Sequence, residues 1–392
     1  MILKESEKIT ILFLSWRDIK SPKMGGAEIF THEMMRNSDL SKFRIIHISP
    51  MFYGAVDSEV IDGITYLRMG NILSVILKSR NFYIFNKDKI NYVIDQCNTH
   101  RFFTKFWVIR DKRIFFIHQL TREIWNYHLF FPFNLFGSLL ENFMLKLNKN
   151  DKTLTVSEST KKDLLLIGFD EKNIKIIPEG INFNVWPEIK FYNKEKRTTF
   201  IYVGRFAKYK GIDSCIQAFC EYKKYFKEAK LWILGKKDEK YIIKNLIPIC
   251  KKNNISYGDF NDDNDIIFFN FVTDEKKLEL MSRAYALLMP SIREGWGLII
   301  TEAAAVGTPS IVYNSPGIID AVNFGESGYI ATKNNYIGLF EAMKDLSCNK
   351  EKYINIRKAA YNFSSCFKWT RTGKEFSEFI LNISNNRKHC FE

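Results

Sequence analysis

The sequence predicts an α/β protein made of two parallel-sheet domains. Three observations lead there. Short apolar runs alternate with helix-length segments from Ile9 onward, the alternation pauses after Ile174–Ile177 and resumes at Phe200, and a glycine-containing loop follows the first run of each half. Parallel neighbours need long crossovers, and the intervening segments are long enough to supply them. At roughly 100–200 residues per domain, 392 residues allow about two. With 46% hydrophobic and 26% charged residues the chain is neither disordered nor fibrous.

The first strand is the apolar run Ile9–Leu14; a loop with Pro22, Gly25 and Gly26 follows, and the pattern from Ala27 to Arg36 is helical. Arg44–Ser49, Tyr92–Asp95, Ile114–Ile117 and Leu154–Ser157 read as further strands, and Val60–Arg68, broken at Asp62-Gly63, as a hairpin. Beyond Ile174–Ile177 come Pro178-Glu179-Gly180-Ile181 and a charged run, Lys190–Arg197, without period, so the boundary is drawn at residue 187. The second alternation has strands at Phe200–Val203, Leu231–Leu234, Ile266–Phe269, Ala286–Met289 and Pro309–Tyr313, with a helix from Gly211 to Phe226. From Asn334 to Asn386 the pattern is mainly helical.

Fifty-eight basic residues against 44 acidic give a net charge of +14, spread over both halves, which implies an anionic partner. The seven cysteines, Cys97, Cys215, Cys220, Cys250, Cys348, Cys366 and Cys390, form no C-x-x-C pair and are odd in number, which argues against a zinc ribbon or a disulfide framework and for a reducing compartment. Lys4, Glu5, Glu7 and Lys8 make residues 1–10 unlike a cleavable signal. The most apolar region, His128–Leu147, is interrupted by Pro132, Asn134, Glu141 and Lys146, so no membrane span is expected. These readings point to the cytoplasm.

Ligands of open parallel sheets bind at the carboxyl ends of the strands, and two such domains facing one another make a cleft. The post-strand loops therefore hold the candidate residues. Pro290-Ser291-Ile292-Arg293-Glu294-Gly295-Trp296-Gly297-Leu298 follows a buried run and precedes an Ala-rich helix carrying Glu302. Its glycines admit close approach of a ligand, its helix start suits a diphosphate, and its two carboxylates suit sugar or ribose hydroxyls. Ordinary acidic residues at a helix start are the alternative, disfavoured by the flanking glycines. In Gly204-Arg205-Phe206-Ala207-Lys208-Tyr209-Lys210-Gly211, Arg205 can fork onto phosphate oxygens and Lys210 adds a point charge; a solvated basic turn is the other reading. Gly25-Gly26-Ala27-Glu28 is weaker and could be a plain turn, and His118, after Ile114–Ile117, could be a structural histidine. Asp262-Asp263-Asn264-Asp265 precedes its strand and reads as a turn rather than a metal motif.

Taken together, Gly25-Gly26-Ala27-Glu28, Pro178-Glu179-Gly180-Ile181-Asn182, Gly204-Arg205 with Lys210-Gly211, and Glu294 to Glu302 resemble the retaining family-4 glycosyltransferases of the GT-B fold, over nearly the whole chain. The resemblance implies two Rossmann-like domains facing across a cleft: residues 1–187 on the acceptor side, 188–368 binding a nucleotide-sugar donor, and 369–392 as a helix crossing back to the first domain. By the same resemblance Arg205 and Lys210 bind the donor diphosphate, Glu294 the sugar hydroxyls and Glu302 the ribose. Trp296, Gly297 and Leu298 assist the phosphates through their backbone, Gly25 and Gly26 close on the pyrophosphate, His118 lies beside the transferred sugar, and Phe271 and Val272 line the base. Trp296 stands where Phe or Tyr is usual and Asn182 where Asp is common. The implied reaction is transfer from a UDP- or GDP-sugar with retention, without obligatory metal or cofactor, to a glycan or lipid-linked acceptor in surface polysaccharide or glycolipid synthesis.

Between Lys78 and Arg113, nine basic residues interleave with Phe102, Phe103, Phe106 and Trp107, and His128–Leu147 offers an apolar ledge. Both suit docking on an anionic membrane, at the inner face of the cell membrane; a solvated face over core aromatics is the alternative for the basic stretch, and an internal helix the equal alternative for His128–Leu147. A sugar-nucleotide epimerase of the same fold and a non-catalytic nucleotide-sugar-binding scaffold stay open. Nucleic-acid binding would explain the charge but not the two carboxylates.

Overall fold

The computed structural model describes residues 8–98, 100–259 and 263–388. The chain divides into two compact units. One comprises residues 1–122, 135–182 and 368–392, and the other residues 123–134 and 183–367. Residues 183–187 and the excursion 123–134 thus lie with the second unit, and the last helix with the first.

The sheet of the first unit contains β1 (Ile9–Leu14), β2 (Phe43–Ser49), β3 (Ser58–Ile61), β4 (Ile64–Arg68), β5 (Tyr92–Cys97), β6 (Arg113–Ile117), β7 (Lys152–Thr155) and β8 (Ile174–Ile176). Their order is β3-β4-β2-β1-β5-β6-β7-β8, parallel throughout except for the β3–β4 hairpin, whose turn places Asp62 and Gly63 at positive φ. The inner strands are buried on both faces, which is why they read as continuous apolar runs. Asp95 within β5 is the polar exception. It accepts from the Phe102 and Thr104 amides and from Thr104 Oγ1, so its burial is compensated.

The second sheet contains β9 (Thr199–Val203), β10 (Lys230–Leu234), β11 (Tyr257–Gly258), β12 (Ile266–Phe269), β13 (Ala286–Met289), β14 (Ser310–Val312) and β15 (Tyr329–Ile330). Their order is β11-β12-β10-β9-β13-β14-β15, all parallel. Its core joins Phe200, Tyr202 and Ile233 of the sheet to Ile216 and Phe219 of the helix Ile212–Tyr225 and to Leu339 and Met343 of the helix Tyr336–Cys348. In both units the strand order reverses at the first strand, β1 or β9. Open parallel sheets leave a crevice where neighbouring crossovers depart to opposite faces, so each topology directs attention to the loops after β1 and β5, and after β9 and β13.

The Pro178–Asn182 motif anchors the final helix, Trp369–Lys388. Trp369 Nε1 donates to Asn182 Oδ1 at 2.6 Å, Thr372 Oγ1 to the Pro178 carbonyl at 2.8 Å, and Ile181 pairs with Lys368 as a β-bridge. The helix then packs on β1 and on the helix Gly26–Arg36 with the turn after it: Phe376 meets Phe13, Trp369 meets Phe30, and Ser377 Oγ accepts the Asp39 amide at 3.0 Å. Asn182 serves this anchor as a neutral acceptor.

Several expectations are corrected. β7 lies two residues earlier than expected, because Ser157 caps the next helix, Glu158–Ile167, by accepting the Thr160 amide. The basic-aromatic stretch is not one open face. Arg113 is buried in a two-point ion pair with Asp151, Arg101 is buried against the Met144 carbonyl and Asn148, and Phe102 lies in the core. Lys78, Arg80, Lys105 and Phe106 do remain exposed. Of the 262–265 turn, Asp262 lies outside the described residues; Asp263 pairs with Arg197 and Lys230, and Asp265 with Lys223 and the Ser256 amide.

The apolar ledge is a helix, Phe133–Lys146, turned the unusual way round. Leu135, Phe136, Leu139, Leu140 and Phe143 face solvent, while Glu141 holds the Thr121 and Arg122 amides. Among the described residues no helix is long and apolar enough to cross a membrane.

Candidate functional site

The loops after β9 and β13 bring Lys210 to Glu294, 84 positions apart in sequence. Lys210 Nζ donates to Glu294 Oε1 at 2.5 Å, with the two side chains only 16% and 13% exposed. Backbone contacts hold the pair in place. The Ile292 amide bonds to the Tyr209 carbonyl at 2.9 Å and the Glu294 amide to the Pro316 carbonyl at 3.1 Å. Two glycines permit this proximity. Gly211 (φ +73°) and Gly317 (φ +79°) sit where a Cβ would overlap the Pro290 and Glu294 carbonyl oxygens respectively.

Arg205, exposed in the loop after β9, and Gly297, which caps the helix Leu298–Ala305 at φ +111°, complete this group on the second sheet. The Ile300 amide bonds back to the Gly297 carbonyl at 2.8 Å, whereas the N–H groups of Leu298 and Ile299 have no intrahelical acceptor, and this end carries the positive end of the helix dipole. Two cations, a carboxylate and a helix start thus gather at the strand-order reversal of this sheet, a combination whose chemistry suits an anion and hydroxyl groups.

The Trp296 side chain is not part of an open surface: its ring packs on Phe367 at 5.1 Å and its indole nitrogen is buried without a partner among the described residues. Glu302 is buried as well. Lys277 Nζ lies 2.9 Å from its Oε2, a close ion pair rather than an aligned hydrogen bond, and Asp274 shares the same ammonium at 3.1 Å. Burial raises the Glu302 carboxyl above its ordinary pKa while Lys277 opposes the rise. For Lys277, burial pulls the other way, and Glu302 and Asp274 outweigh it to leave the pKa raised. Phe271 is 83% exposed after β12, with Val272 half-buried beside it.

In the first unit, Gly25 caps the helix Gly26–Arg36. Its amide donates to Glu28 Oε2 at 2.6 Å, so this turn carries a buried carboxylate of its own beside Gly26. His118, after β6, is buried between the rings of Phe30 and Phe116. The Gln96 amide nitrogen donates to Thr31 Oγ1 at 2.8 Å and to His118 Nε2 at 3.1 Å, an arrangement that leaves the imidazole proton on Nδ1. Burial lowers the His118 pKa to about 3, so the ring is neutral near pH 7.

Residues 185–363 match the family model for glycosyl transferases, group 1. An uncharacterized glycosyltransferase of Methanocaldococcus jannaschii is 26% identical over 233 residues, 58% of this chain and 59% of that protein. The capsular polysaccharide biosynthesis glycosyltransferase CapM of Staphylococcus aureus is 26% identical over 245 residues, again 58% and 59% of the two chains. These matches therefore span less than two thirds of the relatives' lengths. Among solved structures, sucrose-phosphate synthase from Thermosynechococcus elongatus superposes with a TM-score of 0.73 at 15% identity, covering 98% of this chain and 99% of that one. HepE of Anabaena, solved in complex with UDP-glucose, gives 0.67 at 15% identity, covering 95% and 100%. The architecture is the GT-B fold, and the sequence matches are to glycosyltransferases, with the family model spanning less than half of the chain.

Three participants escaped the sequence reading. Arg293, beside Glu294, is 2% exposed and grips Glu123 with Nε and Nη2 at 2.6 and 3.1 Å, fixing the excursion 123–134 to the second unit. Lys277 compensates Glu302, and Gln96 sets the His118 tautomer. None carries a local signal; only the Arg-Glu order at 293–294 hinted that one of two adjacent charges must turn inward.

Proposed function

We propose that the protein is a retaining glycosyltransferase that moves a sugar from a UDP- or GDP-sugar to a glycan or lipid-linked acceptor, in cell-surface polysaccharide or glycolipid synthesis. The observation that carries this reading is the Lys210–Glu294 pair beside Arg205 at the reversal point of the second sheet. Departure of the nucleoside diphosphate is the main barrier, because charge builds on its oxygens as the sugar bond breaks. Arg205, Lys210 and the N–H groups at Leu298 meet that charge in a preorganised site, an effect often worth a few kcal/mol per group. The reading gives this task to protein cations and requires no divalent ion.

Glu294 accepts hydrogen bonds from hydroxyls of the transferred sugar, Glu302 from the ribose, and exposed Phe271 stacks on the base with Val272 at its edge. In the first unit, Gly25 and Gly26 serve the diphosphate. Neutral His118 acts as a hydrogen-bonding partner of the sugar rather than as an acid. CapM, named for capsular polysaccharide biosynthesis, and HepE, crystallised with UDP-glucose, favour this substrate class. The outward apolar face of Phe133–Lys146 favours an acceptor in a lipid surface at the inner side of the membrane.

NMR of the product after incubation with UDP- or GDP-sugars and a lipid-linked acceptor tests the reading. A product with the donor's anomeric configuration, formed equally with and without chelator, is expected. An inverted product or abolition by chelator refutes the corresponding clause, and donor conversion without acceptor identifies an epimerase instead.

A further inference from the structure

Where the segment following Pro187 crosses the helix Lys350–Ser364, the second unit contains a pocket of about 500 Å³ that shares no residue with the site above. Its walls are the rings of Phe191, Tyr192 and Tyr361, and its cations are Lys194, Arg357 and Lys358. Arg357, Lys358 and Tyr361 fall on one face of the helix at helical spacing.

The pocket is firmly built. Tyr361 OH donates to the Trp186 carbonyl at 2.9 Å, Phe191 meets Tyr361 edge-on at 5.4 Å, and the Arg357 guanidinium lies 5.3 Å from the Phe191 ring centre. Its charges are unbalanced. Lys194 Nζ is held by four neutral oxygens, the carbonyls of Ser282, Ala284 and Gly307 and the Thr308 hydroxyl, and by no carboxylate among the described residues. Arg357 spends Nε on the Gly307 carbonyl at 2.8 Å, and its terminal nitrogens have no hydrogen-bond partner among the described residues. Lys358 is exposed without an ion pair there, and Glu188 is the lining's sole carboxylate.

Two of these cations have a structural task. Lys194 and Arg357 both serve the Gly307 carbonyl, at the negative end of the helix Leu298–Ala305. That task explains neither Lys358, nor the outer edge of Arg357, nor three rings around a space of this size. Burial and the neighbouring Arg357 hold the Lys194 ammonium well below its ordinary pKa, so the lasting positive charges are those of Arg357 and Lys358, and a phosphate monoester, close to dianionic at pH 7 and above, would match these two. Aromatic walls suit the flat face of a ring.

We propose that this pocket binds a small phosphate monoester carrying a ring, with its phosphate on Arg357 and Lys358 and its ring between Tyr192 and Tyr361. The ring can be aromatic or a sugar, so the test uses calorimetric titration with phenyl phosphate, ribose 5-phosphate and inorganic phosphate. At least one ester should bind one site tenfold or more tighter than inorganic phosphate, and the preferred ester identifies the ring. Lys358→Glu, an exposed change that leaves the core alone, should weaken that binding at least tenfold. Lys210→Ala, in the nucleotide-sugar site, should leave it unchanged. The proposal is overturned if neither ester surpasses inorganic phosphate, if Lys358→Glu binds as the wild type does, or if Lys210→Ala abolishes binding.

Discussion

Glu294→Gln separates the two halves of the proposed donor site, because Glu294 and a diphosphate compete for the same ammonium. Lys210 Nζ is committed to Glu294 Oε1 at 2.5 Å, with both side chains largely shielded from water. Exposed pairs are worth about 0–1 kcal/mol and hydrogen bonds to charged groups about 1.5–3 kcal/mol, so a mostly shielded pair falls at roughly 1.5 kcal/mol. Gln keeps the shape and an acceptor oxygen but not the charge, so detaching Lys210 becomes about 1 kcal/mol easier. UDP or GDP should then bind roughly fivefold tighter. Turnover should move the other way, falling about 100-fold or more, because the charged acceptor for the sugar hydroxyls is gone. Calorimetry with the free nucleotide and initial rates of transfer measure the two effects. A tenfold loss of nucleotide affinity, with turnover falling in proportion, would refute the reasoning and make Glu294 part of the diphosphate framework.

Arg205→Ala should weaken nucleoside diphosphate binding by roughly 30-fold or more, since a charged oxygen loses its partner; calorimetry that finds affinity unchanged moves the phosphate site elsewhere. Gly317→Ala should destabilise the second unit by at least about 2 kcal/mol, combining positive-φ strain with overlap on the Glu294 carbonyl, and urea unfolding measures it. His118, with its folded pKa lowered to about 3 by burial, contributes stability that is intact above the unfolded pKa near 6.5 and is lost as pH falls. His118→Gln should therefore flatten the stability profile between pH 5.5 and 4.5 by about 1.4 kcal/mol per pH unit relative to wild type; parallel profiles would show that His118 titrates normally. Replacing Phe136, Leu139 and Phe143 by Ser should leave unfolding unchanged, since all three face solvent, while lowering flotation with anionic liposomes at least tenfold; equal flotation would remove this helix from any membrane role.

The central strands were readable because they are buried on both faces and so carry uninterrupted apolar runs, as in Ile266–Phe269 and Ala286–Met289. The two-residue edge strands Tyr257–Gly258 and Tyr329–Ile330 are too short to show any period. In the site, Lys210 and Glu294 were legible because each follows a strand, and β9 and β13 prove to be neighbours. The inward turn of Arg293, the Lys277 partner of Glu302 and the burial of Arg101 and Arg113 were not. Each depends on a residue distant in sequence, and a basic residue carries no mark of whether its partner is water or a buried carboxylate. For the Phe133–Lys146 helix the sequence left an outward ledge and an internal helix both open, since apolar periodicity records amphipathicity without saying which face meets solvent.

Titration of the intact protein with UDP and GDP in the absence of divalent metal tests the donor-site assignment most directly. The account predicts saturable binding of one of the two at a single site, lost in Arg205→Ala and retained in Glu294→Gln. Binding of neither by folded protein would contradict it.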